Sequence, residues 1–197
     1  MKISDEGTIR EYYETRDHID KLTEDVKYVM MHPNYCLQYF QPGRFIQIQH
    51  KGLDFGWGVL VNYKERKQFK KPEEIPDNQK YVVDVLLNVS DGTSVGTKTY
   101  EDLPSGVYPP KDSEKGKMEV VPVMLSCVSA ISHIRVHLPK DLKSADSRNS
   151  VKKVISEVQR RFPDGVALID PLEDMQIKDE SFKKNLRVRC TLLLCAA

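Results

Sequence analysis

The chain has 197 residues, which leaves room for one domain of ordinary size or for two small ones. Its 30 Lys and Arg residues nearly balance its 29 Asp and Glu residues, and the formal net charge of +1 excludes a bulk electrostatic attraction to nucleic acid or lipid. Any RNA binding must therefore come from a local basic patch. With 30% charged and 8% aromatic residues, the composition is that of a soluble globular protein rather than a disordered one.

The cysteines indicate the compartment and argue against a metal site. All four stand singly, in none of the spacings that a zinc site uses, at Cys36, Cys127, Cys190 and Cys195. We expect a reducing compartment, cytosolic or nuclear, and no metal ion. The first residues carry charges where a signal peptide needs an apolar run, and no window approaches the ~18 apolar residues of a membrane span. No membrane partner is predicted.

The first predicted element is a helix over 8–32, which we interpret as one arm of a stalk. Thr8 and Glu11 match a capping box at its start. Pro33 ends it, because proline lacks an amide donor and disfavours helical geometry in the residue before it. A narrow apolar seam on this charged rod indicates one arm of a helical pair rather than the wall of a core. Its members are Ile9, Tyr12, Ile19, Leu22, Val26, Val29 and Met30.

Residues 34–138 are predicted to form a five-stranded β-barrel, so the fold class is α+β. Period-2 or continuous apolar patterns predict strands over 43–49, 56–63, 81–87, 118–123 and 130–138. Gly56 and Gly58 flank Trp57 in the second strand, where glycine marks a bulge or a close approach of backbones. The long loop 90–117 is rich in glycine and proline, which favours mobility over order. The pattern is typical of an SH3-like barrel of the KOW type, which binds RNA or proteins without chemistry of its own.

The chain returns to helix within 139–184. Ser147 or Ser150 can cap a segment whose apolar residues follow a helical period as far as Phe162, and the sequence FPDG ends it. Asp179 stands where a cap would start a second stalk helix. This order, in which one helix leads out, a barrel follows and a second helix starts back, is typical of an insertion carried on a stalk.

Several consecutive blocks resemble a known family, the rRNA-processing arch of the DExH-box RNA helicase that works with the nuclear exosome. The resemblance covers 8–184. It is carried by HPNYCLQYFQPGRFIQI, DFGWGVLVNY, YVVDVLL, VVPV, SAISHIRVHLPKDL and SVKKVISEVQRRFPDGVALIDPLEDM. QPGR, DFGWGV and RFPDG favour the nuclear branch over the cytosolic relative. The resemblance implies rRNA processing and RNA surveillance in the nucleolus or nucleoplasm, inside an ATP-dependent 3′-to-5′ helicase whose core and exosome are its partners.

Two features set the chain apart from such a helicase. The tail 185–197 lacks the charges that continue the family's second stalk helix. The sequence also has no GxxxxGK[ST] phosphate loop and no DExH box, the motifs that cradle phosphates and hold magnesium. We therefore predict no catalytic residue, no cofactor and no ATP hydrolysis for this chain, which we interpret as the recognition appendage of a motor.

Arg135 is the first candidate for partner binding. Alternation over 131–138 turns Ile134 toward the core and Arg135 toward solvent, where a guanidinium can hold a carboxylate with two parallel hydrogen bonds. The residues alone favour an ordinary surface arginine, or one paired with Asp84 across strands. The resemblance implies that Arg135 binds the acidic residue of a short arch-interacting motif in adaptor proteins, with Ile134 and Asp84 at matching positions. It also implies that Arg44 contacts a partner or RNA.

The basic run 64–71 is the candidate RNA-binding segment. Its lysines and arginine can neutralise phosphates while its aromatic ring stacks on a base, although charged loop tips are often merely solvated. Its candidate residues are Lys64, Arg66, Lys67, Phe69, Lys70 and Lys71. A structured-RNA-binding module without peptide docking is thus the alternative function.

Other conspicuous side chains have structural interpretations. Trp57, Phe55, Tyr39 and Phe40 are predicted to pack in the barrel and at its joint with the stalk. Cys127 is predicted to be a buried structural cysteine.

Overall fold

The computed structural model describes residues 6–66, 76–95 and 102–171. Predictions about the second stalk helix at Asp179 and the tail 185–197 lie outside these residues. Within them, the helices and strands follow in the order α1 (Glu6–Met30), α2 (Pro33–Cys36), β1 (Arg44–His50), β2 (Leu53–Glu65), β3 (Tyr81–Val89), β4 (Lys117–Met124), β5 (Val128–Arg135) and α3 (Ala145–Arg161).

The five strands form one antiparallel sheet in the order β4-β3-β2-β1-β5. Each strand contributes to a single buried apolar cluster, for example through Ile46, Leu60, Val85, Val121 and Ile131. The sheet therefore wraps around a common interior. The predicted α+β fold with a five-stranded barrel is confirmed.

A second apolar cluster lies on the outer face of the sheet, beneath α3. Phe45, Leu86 and Met118 point outward from the strands and meet Val151 and Ile155 of the helix. Burying one stripe of α3 fixes its position on the barrel, because the period of its apolar residues matches one helical face.

Glycine lets two strands approach closely in β2. A Cβ added to Gly58 would lie 2.7 Å from Cγ1 of Val85 and 3.0 Å from the carbonyl oxygen of Leu86, well inside ordinary contact distances. The register between β1 and β2 also shifts opposite Gly56. The close approach at Gly58 and the register shift at Gly56 are the two features that glycine inside this strand predicts.

The bounds of α1 differ at one end from the sequence prediction. The helix already includes Glu6, so Thr8 lies within its first turn and the predicted capping box is wrong. A threonine inside a helix costs only a few tenths of a kcal/mol, so a capping pattern alone does not fix the first residue. At the other end, α1 stops at Met30, two residues before the predicted end at 32; His32 caps α2, and Pro33 opens α2.

Most of α1 projects away from the barrel core. Ile9, Tyr12 and Tyr13 are exposed, whereas only the end of the helix packs on the barrel, through Met30 and the buried Met31 that follows it. The stalk is therefore joined to the barrel at its base and is not folded into the core. Among the described helices, none combines the length and apolar character that crossing a bilayer requires.

The described part of the long loop is more ordered than its composition predicts. Leu103 and Val107 are buried in the main cluster. The Glu114 carboxylate accepts hydrogen bonds from Ser90 Oγ and from the amide of Asp91. Two apolar anchors and one carboxylate thus hold residues 102–116 against the barrel, and the expected mobility is wrong for this part.

The start of α3 is also corrected. The helix begins at Ala145, after Ser144 in extended geometry, rather than at Ser147 or Ser150. Both of these serines lie inside the helix, where Ser150 Oγ donates to the carbonyl oxygen of Ser147 at 2.7 Å. A serine that bonds to the preceding turn is compatible with a helix interior, so the capping pattern was ambiguous.

Candidate functional site

Two arginines face each other at one end of the barrel. Arg44 opens β1, Arg135 closes β5, and the two are cross-strand partners. Like charges in directly opposed positions repel each other. Gln41 offsets this repulsion, because its Oε1 accepts from Arg44 Nη2 at 3.4 Å and from Arg135 Nη1 at 3.2 Å. We call Arg44 and Arg135 the arginine pair.

Arg44 is the fixed member of the arginine pair. Its Nε donates to the carbonyl oxygen of Tyr39 at 3.2 Å, and its Nη1 donates to that of His133 at 3.1 Å. Burial, followed by the charge of Arg135, lowers the pKa of Arg44 from its ordinary value. A guanidinium held in this way offers a preformed orientation to a ligand.

Arg135 is the accessible member of the arginine pair. Its side chain is exposed, and its Nε donates to the carbonyl oxygen of Pro42 at 2.9 Å. Among the residues that the structure describes, neither Arg44 nor Arg135 has a carboxylate within 4.0 Å. The pair therefore keeps its capacity to bind an anion.

The turn before β1 sets the spacing of the pair. Gly43 has φ +90°, and a Cβ there would overlap the carbonyl oxygen of Val136. Its amide donates to Leu60 and its carbonyl accepts from Val136, both at 2.8 Å. The QPGR sequence thus joins the start of β1 to the end of β5. Gln41 was missed from sequence, although its place before a Pro-Gly turn that feeds Arg44 was an available signal.

Ile134 and Asp84 do not lie beside the arginine pair. Ile134 is half-buried and packs into the cluster beneath α3, on the opposite face of β5 from Arg135, as the alternation predicts. Asp84 belongs to β3, and its carboxylate lies 3.8 Å from the ammonium of Lys64. The alternative in which Arg135 pairs with Asp84 is wrong, because β2 and β1 stand between their strands.

The basic run is described only at its beginning. Lys64 pairs with Asp84 but stays 57% exposed. Arg66 Nη1 lies 3.5 Å from the carbonyl oxygen of Gln79 and 3.6 Å from Met124 Sδ, so it folds back on the barrel. The other candidates for RNA contact lie outside the described residues: Lys67, Phe69, Lys70 and Lys71.

The aromatic side chains serve the packing roles predicted for them. Phe40 and Phe55 are buried in the main cluster, and Tyr39 packs against it. Trp57 is half-buried against Phe45, with 6.4 Å between ring centroids.

Cys127 is buried, and burial raises the pKa of its thiol to about 12. Its Sγ donates to the carbonyl oxygen of Asp102 at 3.3 Å. The thiol is therefore protonated at neutral pH and has a structural role, as predicted. Across the described ranges, no three His, Cys, Asp or Glu side chains converge as metal ligands would.

The sequence profile of the family described as "Mtr4-like, beta-barrel domain" matches residues 32–193. The chain belongs to this family. The match begins at His32, at the base of the stalk, so the Mtr4-like barrel includes the arginine pair and α3. It also runs into the atypical tail 185–197.

Curated relatives carry the Mtr4-like barrel within much longer proteins. "Exosome RNA helicase MTR4" is 43% identical over 182 residues in Mus musculus and 42% identical over 182 residues in Homo sapiens, with 92% of this chain covered. "ATP-dependent RNA helicase mtr4" of Schizosaccharomyces pombe is 40% identical over 186 residues, with 94% of this chain covered. The chain spans 17% of the length of each of these relatives.

Proposed function

We propose that this chain is the non-catalytic recognition module of an exosome-associated RNA helicase, and that its arginine pair docks short acidic and hydrophobic peptide motifs of adaptor proteins. One observation carries the proposal. Two guanidinium groups stand at opposed positions of β1 and β5, held by Gln41, with no carboxylate within 4.0 Å among the described residues.

A carboxylate is the ligand that suits this arrangement. It offers two oxygens to planar guanidinium donors, and hydrogen bonds between charged groups are about twice as strong as neutral ones. A peptide carboxylate would take over the acceptor role of Gln41 Oε1 and add a negative charge between two positive ones. Binding would relieve the repulsion within the pair, while the backbone bonds of Arg44 reduce the ordering cost.

The names of the relatives support the wider setting of the proposal. As part of such a helicase, the module would act in the nucleus, in the nucleolus or nucleoplasm, during rRNA processing and RNA surveillance. The helicase core and the exosome would be partners of the full-length parent, and ATP hydrolysis would reside in that core. We expect no ATPase activity from this chain.

Replacing Arg135 by Glu tests the peptide proposal. We expect affinity for a synthetic peptide with one aspartate beside apolar residues to fall at least tenfold in calorimetric titration, because a hydrogen bond to a charged group contributes about 1.5–3 kcal/mol. The matched control is Arg16→Glu, which reverses an exposed charge on α1 far from the pair. Unchanged circular dichroism would establish that Arg135→Glu is folded, and affinity within twofold of wild type would contradict the proposal.

RNA contact by the basic run 64–71 is the second candidate function. Lys64 stays largely exposed at the end of β2, directly before the cluster of lysines in this run. Replacing Lys67, Lys70 and Lys71 by Gln is the corresponding test, and it forms one arm of the RNA titration described below.

A further inference from the structure

A basic groove lies between α3 and the end of the long loop, on the face of the barrel that α3 covers. Its volume is about 760 Å³. We propose that this α3 groove binds the phosphodiester backbone of structured RNA. The inference goes beyond peptide docking, because the groove shares no residue with the arginine pair. Its polar lining includes Lys115, Asn149, Lys152, Lys153, Ser156 and Arg160.

The lining of the groove forms one stripe along α3. Asn149, Lys152, Lys153, Ser156 and Arg160 follow the spacing i, i+3, i+4, i+7 and i+11, which places them on one helical face. At 1.5 Å per residue, the stripe is about 16 Å long. That length is enough to follow several successive phosphates of one strand.

Lys152 fastens the two walls of the groove together. Its ammonium donates to the carbonyl oxygen of Lys115 and, at 2.9 Å, to that of Gly116. The side chain is thereby fixed between α3 and the loop, and the exposed Lys115 is placed opposite the helical stripe. The groove is thus built by tertiary contacts rather than by one exposed helix alone.

The groove keeps a net positive charge after its internal ion pairs are counted. Glu157 is its acidic residue, and both Arg160 and Arg161 donate to that carboxylate, at 2.8 Å and 2.7 Å. These arginines lower the pKa of Glu157 to about 2, so it stays ionised and paired at neutral pH. Among the described residues, Lys115 and Lys153 have no carboxylate within 4.0 Å.

The lining favours RNA over an acidic peptide. No large apolar or aromatic side chain lines the groove, whereas peptide sites depend on buried apolar anchors. Lysine, arginine, asparagine and serine are the side chains that contact phosphates and sugars. The net charge of the whole chain is only +1, so such binding would be local to the groove. It would be strong at low salt and insensitive to base sequence.

The test is a fluorescence anisotropy titration of the full chain with a labelled RNA stem-loop between 50 and 200 mM salt. Over this range the logarithm of the affinity falls linearly with the logarithm of the salt concentration, with a slope that grows with the number of phosphate contacts. In the triple variant Lys115→Gln, Lys153→Gln and Arg160→Gln, we expect affinity to fall at least tenfold at low salt and the slope to decrease by about 2–3. Lys152 is left intact because it holds the groove together.

The matched control removes three exposed lysines elsewhere, through Lys21→Gln, Lys51→Gln and Lys111→Gln. It makes the same change in net charge and should retain most of the affinity. Ser156→Glu is a second variant that places a negative charge in the groove without removing any ion pair, and it should also weaken binding. It decides the question if the triple variant does not fold.

Three results would overturn the groove as an RNA site. The first is that the triple variant binds RNA with the same affinity and the same salt slope as the matched control. Another is loss of binding only in Lys67→Gln, Lys70→Gln and Lys71→Gln, which would assign RNA to the basic run. The third is loss of acidic-peptide affinity, rather than RNA affinity, in the groove variants. Arg135→Glu should leave RNA binding intact, so this proposal and peptide docking can fail separately.

Discussion

At the scale of single residues, Gln41 controls the arginine pair. Its side-chain oxygen accepts from both guanidinium groups, so a neutral acceptor occupies the position that a peptide carboxylate would take. A neutral amide is a weaker acceptor than a carboxylate for guanidinium donors. Gln41 therefore holds Arg44 and Arg135 in place, and under the peptide proposal an acidic ligand would displace it.

Gln41→Glu should turn this residue into an internal competitor. Its carboxylate would bind both guanidinium groups more strongly, and we expect peptide affinity to fall by at least tenfold, since one charge-assisted hydrogen bond contributes about 1.5–3 kcal/mol. Thermal stability should stay the same or rise slightly. Calorimetric titration with the peptide used for Arg135→Glu measures the first effect.

The control for Gln41→Glu is Gln38→Glu. Gln38 is exposed nearby and donates only to the carbonyl oxygen of Tyr35 among its described contacts, so the substitution makes the same charge change away from the pair. Equal losses in both variants would mean that general charge repulsion, rather than the site at Gln41, weakens the peptide.

At the scale of elements, Arg148 connects α3 to the barrel. Its Nε donates to the carbonyl oxygen of Met118 in β4 at 2.7 Å, and its Nη1 donates to those of Leu142 and Lys143 at 3.0 and 2.7 Å. Its Nη2 lies 3.5 Å from the Glu119 carboxylate. One largely buried guanidinium thus satisfies backbone acceptors from the strand and from the segment that leads into the helix.

Arg148→Met should destabilise the protein by about 3 kcal/mol, because three backbone carbonyls lose a charged donor while the aliphatic volume is kept. Chemical denaturation gives the free energy of unfolding directly. Arg160→Met on the same helix is the control, since its exposed pair with Glu157 contributes little, and we expect almost no change in the free energy of unfolding. Similar losses for the two substitutions would show that Arg148 does not connect the elements in this way.

At the scale of the whole molecule, we expect the stalk helix and the barrel to have separate stabilities. The first four turns of α1 are largely exposed, and the barrel core begins only with Met30 and Met31 at the base of the stalk. Hydrophobic stabilisation is roughly proportional to the apolar area buried, so the projecting part of α1 adds little to the stability of the barrel.

Deletion of residues 1–24 should leave the barrel folded. We expect the thermal midpoint to shift by less than about 3 °C, which corresponds to about 1 kcal/mol at this size, while the helical signal at 222 nm falls. Met31→Ala should instead lower stability by about 2–5 kcal/mol, since it removes a buried side chain at the joint. A large decrease in the midpoint of the deletion would mean that α1 contributes to the barrel core.

The two proposed anion sites lie on different parts of the module. The arginine pair closes one end of β1 and β5, whereas the α3 groove lies where the helix meets the end of the long loop. A peptide adaptor and an RNA would then not compete directly. One module would then hold both ligands at the same time.

The amino-acid sequence by itself determined the order and type of the elements. The strand alternation, Pro33 and the glycines of β2 each act through local geometry, and each was predicted correctly within a few residues. The interpretation of the apolar seam of α1 as one arm of a helical pair stays a prediction. Boundaries such as Glu6 and Ala145 were predicted less well, because several residues near a helix end have similar capping preferences. The packing of the long loop against the barrel was not predicted, because it depends on two apolar side chains whose partners are distant in sequence.

Only the tertiary structure decided which side chains meet. Arg44 and Arg135 are 91 positions apart, and sheet pairing alone makes them neighbours, whereas β1 and β2 separate Asp84 from Arg135. The α3 groove likewise depends on Lys152 reaching the loop at Lys115. Periodicity shows which face a side chain occupies, but strand order and helix docking are set by the burial of the whole core. A binding site made from distant segments therefore could not be assembled from the sequence pattern alone.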